Sequence, residues 1–395
     1  MSKTPKLRFK EFSGDWESIK VDKVFPHVRN GFVGTATPYY VEEGIPYLQS
    51  NNIRKNKIDK RKIVYINEEF HKKNEKSILK KGDILMVQSG HAGECAVVTE
   101  EFENANCHAL IVMTPNNNIN STYCSYYINS DIGQRRIYKL ITGNTIKHIL
   151  ASEMKEFNII KPELEEQEKI ASFFSLIDEK ISLQSEKVEV LKDYKTGMMQ
   201  KIFSRELRFK DDDGRDYPEW EEKKIKDIFT VTRGVVIAKN EISDLMDNIN
   251  QYPVYSSQTS NNGILGYDSK YDFEGDYLTW TTDGANAGKV FRRNGKFRCT
   301  NVCGVLVEKE ETLGFANKMI SEILNKETPK HVSYVGNPKL MNGVMGDIKI
   351  KVPILDEQIK IAKVLDSIDL KIEKEQEKLD SLKQYKKGLL QQMFV

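Results

Sequence analysis

The segment "PELEEQEKIASFFSLIDEKI" at residues 162–181 returns as "PILDEQIKIAKVLDSIDLKI" at 353–372. Extended without a gap, residues 162–203 and 353–394 are identical at 20 of 42 positions, so the chain contains an internal duplication. The match continues upstream in fragments. "LRFK" stands at 7–10 and at 207–210, each time shortly before a tryptophan, Trp16 or Trp220. "GDIL" at 82–85 is answered by "GDYL" at 275–278, and a glycine-rich turn follows each. The order is block, helix, block, helix, with boundaries at 1–160, 161–205, 206–352 and 353–395.

The repeated segment carries a heptad seam. Ile170, Phe174, Ile177, Ile181, Val188, Leu191, Met198 and Ile202 alternate steps of four and three, with Gln184 and Lys195 in the two vacant places. The second copy gives Ile361, Leu365, Ile368, Ile372, Leu379, Leu382, Leu389 and Met393, with Glu375 and Lys386 at the same gaps. Each copy opens on proline followed by acidic residues, which suits the first turn of a helix, and has no internal proline. So narrow a seam needs a partner, and the nearest is the other copy. A helix of about 40 residues is roughly 60 Å long. The second block starts where the first helix ends and ends where the second begins, so a parallel pair would oblige it to carry the chain back over that length. Antiparallel pairing instead puts one block at each end about a pseudo-two-fold axis. It also sets Gln184 opposite Glu375 as a register device.

Both blocks read as β-rich with short helical pieces. "KKGDILMVQSG" and "HAGECAVV" give a strand, a turn and a strand, and "GDYLTWTTDGANAGKVFRR" repeats the plan. "STYCSYYINSDIGQRRIYKL" and "LGFANKMISEILNK" read as helical. The expected fold class is mixed α/β: two similar β-rich domains joined by two long antiparallel coiled-coil helices. With 39% hydrophobic and 30% charged residues this is the composition of a soluble globular chain. No apolar run approaches 18 residues and the N-terminus lacks the apolar core of a signal peptide, which points away from a membrane. Five scattered cysteines fit a reducing cytoplasm. Net charge is only +2, but residues 20–160 hold 19 basic against 15 acidic side chains and 223–352 hold 18 against 15. The helix 162–203 holds 6 against 9, so two mildly basic blocks flank an acidic segment.

Catalytic motifs fail on inspection. "GANAGKV" at 284–290 resembles a phosphate loop, but its first glycine is one residue too close and Val290 stands where Ser or Thr should bind magnesium. A glycine-rich hairpin turn is the better account. Cys299 and Cys303 form a lone C-x3-C without the second pair a zinc site needs, and Cys107 beside His108 reads as a core pair. No Asn/Asp-Pro-Pro-aromatic motif of amino-methyltransferases occurs, and no nuclease carboxylate cluster is evident. No catalytic residue and no metal ligand is assigned.

Two such blocks, each followed by "P-x-L-x-E-Q-x-K-I-A…I-D-x-K-I", resemble the specificity subunit of a type I restriction–modification system. The resemblance rests on Pro162, Glu166, Gln167 and Ile170, on Pro353, Glu357, Gln358 and Ile361, and on the two glycine-turn stretches. It implies that each block is a target-recognition domain reading one half of a bipartite double-stranded DNA sequence. It further implies that the helices set the spacer and dock two methyltransferase subunits. S-adenosylmethionine would then sit on the methyltransferase partner, ATP and magnesium on the restriction partner, and no cofactor on this chain.

Individual base contacts are not implied, so candidates come from side-chain chemistry: Asn, Gln, Ser and Arg read base edges, and Lys and Arg hold phosphates. For the first block these are Gln49, Ser50, Asn51, Asn52 and Arg54; for the second, Ser256, Ser257, Gln258, Thr259 and Asn261. Ser89, His91, Asp283 and Asn286 on the glycine-rich turns come next. Lys55, Lys57, Lys60, Arg61, Arg292 and Arg293 are the phosphate candidates. The competing class is a non-catalytic protein-interaction scaffold, two adaptor domains on a strut. It leaves unexplained why the same helix follows both blocks.

Overall fold

The computed structural model describes residues 4–142 and 147–395. Two compact units divide the chain: one runs to Glu186 and takes in Glu377–Val395, the other is Lys187–Gln376. Each holds one β-rich block and one stretch of each long helix, Leu164–Phe203 and Leu355–Met393.

In the first unit the strands His27–Asn30, Leu110–Thr114, Ile84–Val87 and Cys95–Val97 form an antiparallel sheet in that order. "ILMV" at 84–87 has no polar face because both faces are covered. Ile84 and Met86 enter one core cluster, Leu85 and Val87 the other, as the two-residue period requires. A second sheet places Ile45–Leu48 parallel to Asn106–Cys107. In the second unit the long strand Val290–Cys299 merges the two sheets into one of six strands, with Tyr252–Tyr255 parallel to its end. Each block is closed by a two-stranded ribbon that leads directly into its long helix. Glu17–Lys20 pairs with Asn158–Lys161, and Glu221–Lys224 with Lys349–Val352.

The duplication extends to single hydrogen bonds. The fully buried Gln167 donates to the Pro162 carbonyl (2.9 Å) and accepts from the Asn120 backbone N–H (2.9 Å). Asn120 itself caps the helix Ser121–Asn129. In the second unit Gln358 donates to the Pro353 carbonyl (2.9 Å) and accepts from Asn317 (2.9 Å), the cap of Lys318–Glu327. Arg8 of the first "LRFK" makes a two-pronged bond to buried Glu166 (2.8 and 2.7 Å). Arg208 of the second does the same to Glu357 (3.3 and 2.9 Å).

Within each unit the helical stretches run antiparallel. In the first, Phe174 stacks on Phe394 (5.9 Å between rings) and Asp178, further along, meets Lys386 (2.6 Å). In the second, Lys187 meets Glu375 (2.5 Å), Lys195 meets Asp369 (2.8 Å), and Ile202 packs with Ile361 and Leu365. Every seam residue named above is buried or half-buried. The polar gaps Lys195 and Lys386 are occupied productively: each pairs with the aspartate of the "I-D-x-K-I" motif on the opposing helix. Gln184 is buried.

Removing Arg208 strands the Glu357 carboxylate, which is fully buried, without its partner. Arg208→Ala should therefore cost about 3–5 kcal/mol, while Arg208→Met with Glu357→Leu should recover most of that. Denaturant unfolding of the full chain, followed by tryptophan fluorescence, checks both.

Candidate nucleic-acid interface

In the first unit, strand Ile45–Leu48 runs into a tight 3-10 turn, Ser50–Asn52. The turn closes on itself: the Gln49 N–H donates to the Asn52 side chain (2.8 Å), and the Asn52 amide donates to the Asp59 carbonyl (3.1 Å). Asn52 is thus buried, with both ends of its amide used, and its assignment as a base reader is corrected: it shapes the loop. Gln49 bonds to the Tyr40 hydroxyl (2.7 Å), whereas Asn51 is exposed and Ser50 half-exposed.

The basic stretch 54–62 begins in a two-residue-per-strand hairpin, Ile53–Arg54 against Lys57–Ile58. Its turn is held from below by Asn56, which sits at φ 60° and accepts from Ser125 (2.7 Å) and Asn129 (2.8 Å). Arg54, Lys55 and Lys57 are exposed, and among the described residues no carboxylate lies within ion-pair distance of any of the three. Lys60 pairs with Glu101 (2.5 Å) and Arg61 with Asp59 (2.6 Å); the Arg61 hydrogen bonds hold the Asp59 carboxyl well below the usual carboxylate range. Exposed pairs of this kind are worth only about 0–1 kcal/mol, so a phosphate can replace the Lys60 partner.

The turn between Ile84–Val87 and Cys95–Val97 comes alongside. Arg54 lies 3.0 Å from His91 Nε2. The same nitrogen lies 3.1 Å from the Ile53 carbonyl, so the ring joins this turn to the hairpin. Ser89 meets His148 (2.6 Å). Cys107 lies in the core, where burial pushes its thiol up to about 12, while half-buried His108 contacts the Tyr47 hydroxyl (3.1 Å).

In the second unit the loop after Tyr252–Tyr255 turns through three consecutive left-handed residues, Asn261 (φ 48°), Asn262 (φ 51°) and Gly263 (φ 79°). Only glycine fits the last, since a Cβ there would lie 2.7 Å from the Arg293 guanidinium. Ser256 accepts from Thr300 (3.0 Å), Ser257 accepts from the Thr282 N–H (3.1 Å) and bonds the Val302 carbonyl, and Gln258 bonds the Ile264 carbonyl. Those three side chains hold the loop. Thr259 accepts from Asn286 (3.1 Å), which fastens the loop to the glycine-rich turn, where Asp283 is half-buried; Asn261 and Asn286 are exposed. "GANAGKV" is a hairpin turn between Phe273–Thr281 and Val290–Cys299.

One phosphate candidate, Arg293, is corrected here. Arg293 is 2% exposed: it donates to the Asn262 carbonyl (2.7 Å) and Thr279 (3.0 Å), and its guanidinium lies over the Tyr255 ring (3.6 Å). It supports the loop from beneath. Arg292 points along the sheet toward Asp276 and toward Asp366 of the second long helix (3.4 Å each).

A third loop joins this edge in the second unit and was missed in the sequence. Ser333 and Lys339 exchange two backbone hydrogen bonds (2.9 Å each), closing a hairpin fastened to the glycine-rich turn through Gly284 N–H to the Pro338 carbonyl (3.0 Å). In the first unit Thr142 and His148 exchange the same two bonds (2.9 Å each), and His148 bridges Ser89. The signal was present as "TGNTIKHI" and "VGNPKLMN", Gly-Asn pairs at matching places in the two blocks.

A duplicated scaffold, in which each block closes through a two-stranded ribbon onto a long helix and is locked there by a glutamine and a buried ion pair, is the class the fold defines. The family profile described as "Type I restriction modification DNA specificity domain" matches residues 13–193 and 217–384. The specificity subunit of the Methanocaldococcus jannaschii type I restriction enzyme MjaVIII is 23% identical over 97% of this chain and 94% of its own length. That of the Mycoplasma pneumoniae enzyme MpnII is 43% identical over 36% of this chain and 41% of its own. The crystal structure of a type I restriction–modification S subunit from M. genitalium superposes with a TM-score of 0.64 at 19% identity, covering 99% of both chains. The chain belongs to the family of type I restriction–modification specificity subunits.

If Arg293 supports the loop, Arg293→Ala should leave the Asn262 carbonyl and the Thr279 hydroxyl without their donor. The expected loss is about 2–3 kcal/mol of stability, with hydrogen-exchange protection lost first around 262–264.

Proposed function

We propose that each unit reads one half of a bipartite duplex DNA sequence, that the paired long helices set the number of base pairs between the halves, and that they dock two methyltransferase subunits. The observation that carries this reading is a matched frame with unmatched loops. Ribbon, capped helix, junction glutamine and buried ion pair coincide between the units. The exposed loop residues do not: Asn51 and Arg54 stand on one edge, Asn261 and Asn286 on the other. Selection for two different half-sites would produce that division. Leu176 and Leu183, seven residues apart on the first long helix and 65% and 60% exposed, supply apolar surface for a protein partner.

In this reading the chain is the non-catalytic, cytoplasmic member of the complex. S-adenosylmethionine belongs to the methyltransferase subunits, and ATP with magnesium to the restriction subunits.

Long-read methylation sequencing of cells carrying the cognate methyltransferase, with and without this chain, tests the proposal. A gapped two-part adenine motif should appear only with the chain; an unchanged methylome with the methyltransferase present would favour a scaffold instead. Asn51→Ala should relax selection in one half only. Lys57→Ala should weaken binding on all sequences and lower the slope of log affinity against log salt by about one.

A further inference from the structure

The hairpin closed by Ser333 and Lys339 carries at its tip two large apolar side chains turned outward: Tyr334 is 69% exposed and Val335 is 92% exposed. They are held there rigidly. Two backbone hydrogen bonds close the hairpin, Gly336 turns it at φ 76°, and Pro338 restricts its return arm. The base is tied to the sheet by Leu340, whose N–H donates to the Thr282 carbonyl (2.8 Å) and whose carbonyl accepts from the Trp280 indole (3.0 Å). A valine almost wholly in water on a stiffened tip contributes nothing to the core of its own unit.

Its surroundings indicate what it meets. The hairpin sits against the turn that carries Asp283 and Asn286, and Asn286 is bonded to Thr259 of the neighbouring loop. Lys339 on the hairpin and Lys289 on that turn are exposed, with no carboxylate at ion-pair distance among the described residues. Cations at the flanks suit a polyanion, yet a valine cannot hold a phosphate. The apolar group that a nucleic-acid duplex offers to such a side chain is the thymine 5-methyl in the major groove.

We infer that Val335, flanked by Tyr334, packs against a thymine methyl and so fixes one base of the half-site read by the second unit. This rests on the reading that the unit binds duplex DNA, and goes beyond it by assigning a position and a base.

The test uses the full chain assembled with its methyltransferase partner and duplexes in which each thymine of that half-site is replaced in turn by uracil, which removes only the methyl. One replacement should weaken wild-type binding about four-fold, the effect of losing one buried methyl-sized contact. With Val335→Ala the same replacement should have no effect, and this variant on the unmodified target should match the wild type on the uracil duplex. Because Val335 is exposed, its melting temperature should be unchanged. Uracil replacements that affect wild type and variant alike, or none that affects either, would overturn the inference while leaving DNA selection intact. Val335→Ala that instead loses the methyltransferase would overturn it in favour of a protein contact. A wild-type complex with no sequence preference at all would remove the functional reading beneath it.

Discussion

The carboxylates of Glu166 and Glu357 stand in the first turn of the two long helices and are essentially without solvent. A buried carboxylate is tolerable only with a charge partner and satisfied lone pairs. Each finds its partner in an arginine about 150 residues earlier in the chain, Arg8 or Arg208, and that contact dictates much else. It brings the "LRFK" arm against the helix start. The adjacent glutamine, Gln167 or Gln358, meanwhile ties the same turn to the cap of the block helix. Two separate pieces of chain are thereby fixed to one turn of helix. The direction in which each long helix leaves its block is set by polar geometry and then maintained by apolar packing.

What the junction starts, the seam continues. Its apolar residues would tolerate more than one alignment, because a heptad pattern repeats. Lys195 and Lys386 do not, since each must reach one aspartate. In the second unit Lys195 and Lys318 face Glu322 and Asp369 at 2.6–3.1 Å, a neutral cluster of four charges linking both helices to the block. Burial opposes ionisation of Glu322, but the two lysines overcome it and hold its carboxyl below the usual range. A slip of one turn would break the cluster and leave charges in a half-buried site. The polar interruptions are therefore where alignment is specified, at some cost in apolar contact.

The periodic features of this architecture were legible in the sequence. The heptads, the duplicated motifs and the glycine-rich turns all leave a local trace, since their cause is a local spacing. The second partners of the seam lysines were not legible, because a lysine in a heptad gap looks the same whether it meets water or an aspartate. The loops show the same limit. Arg293 and Arg292 are adjacent in "RRNGKFR", yet alternation along the strand sends one beneath the Asn261–Gly263 loop and the other to Asp366. A basic run on a strand is two populations, and composition cannot separate them. Asn52 and Asn51 divide in the same way, one closing a turn and the other left exposed. The third loop escaped notice because its single Gly-Asn pair marks a turn without saying where the turn lies, and only its tether to the glycine-rich turn brings it to the edge.

These divisions bear on how such a fold can change what it recognises. Gly263, Arg293, Ser256, Ser257 and Asn52 are committed to holding loops in shape, so altering them alters the frame. Asn51, Lys57 and Val335 have little or no structural obligation, and substitution there leaves the packing of the unit untouched. The supporting bonds run sideways, from loop to loop and loop to strand, rather than outward. Stability is thus drawn from backbone carbonyls and buried amides, while the side chains that face outward are free to differ between the two units. A duplicated chain whose copies share their junctions and differ in their outward loops can present two different surfaces on one set of folding instructions.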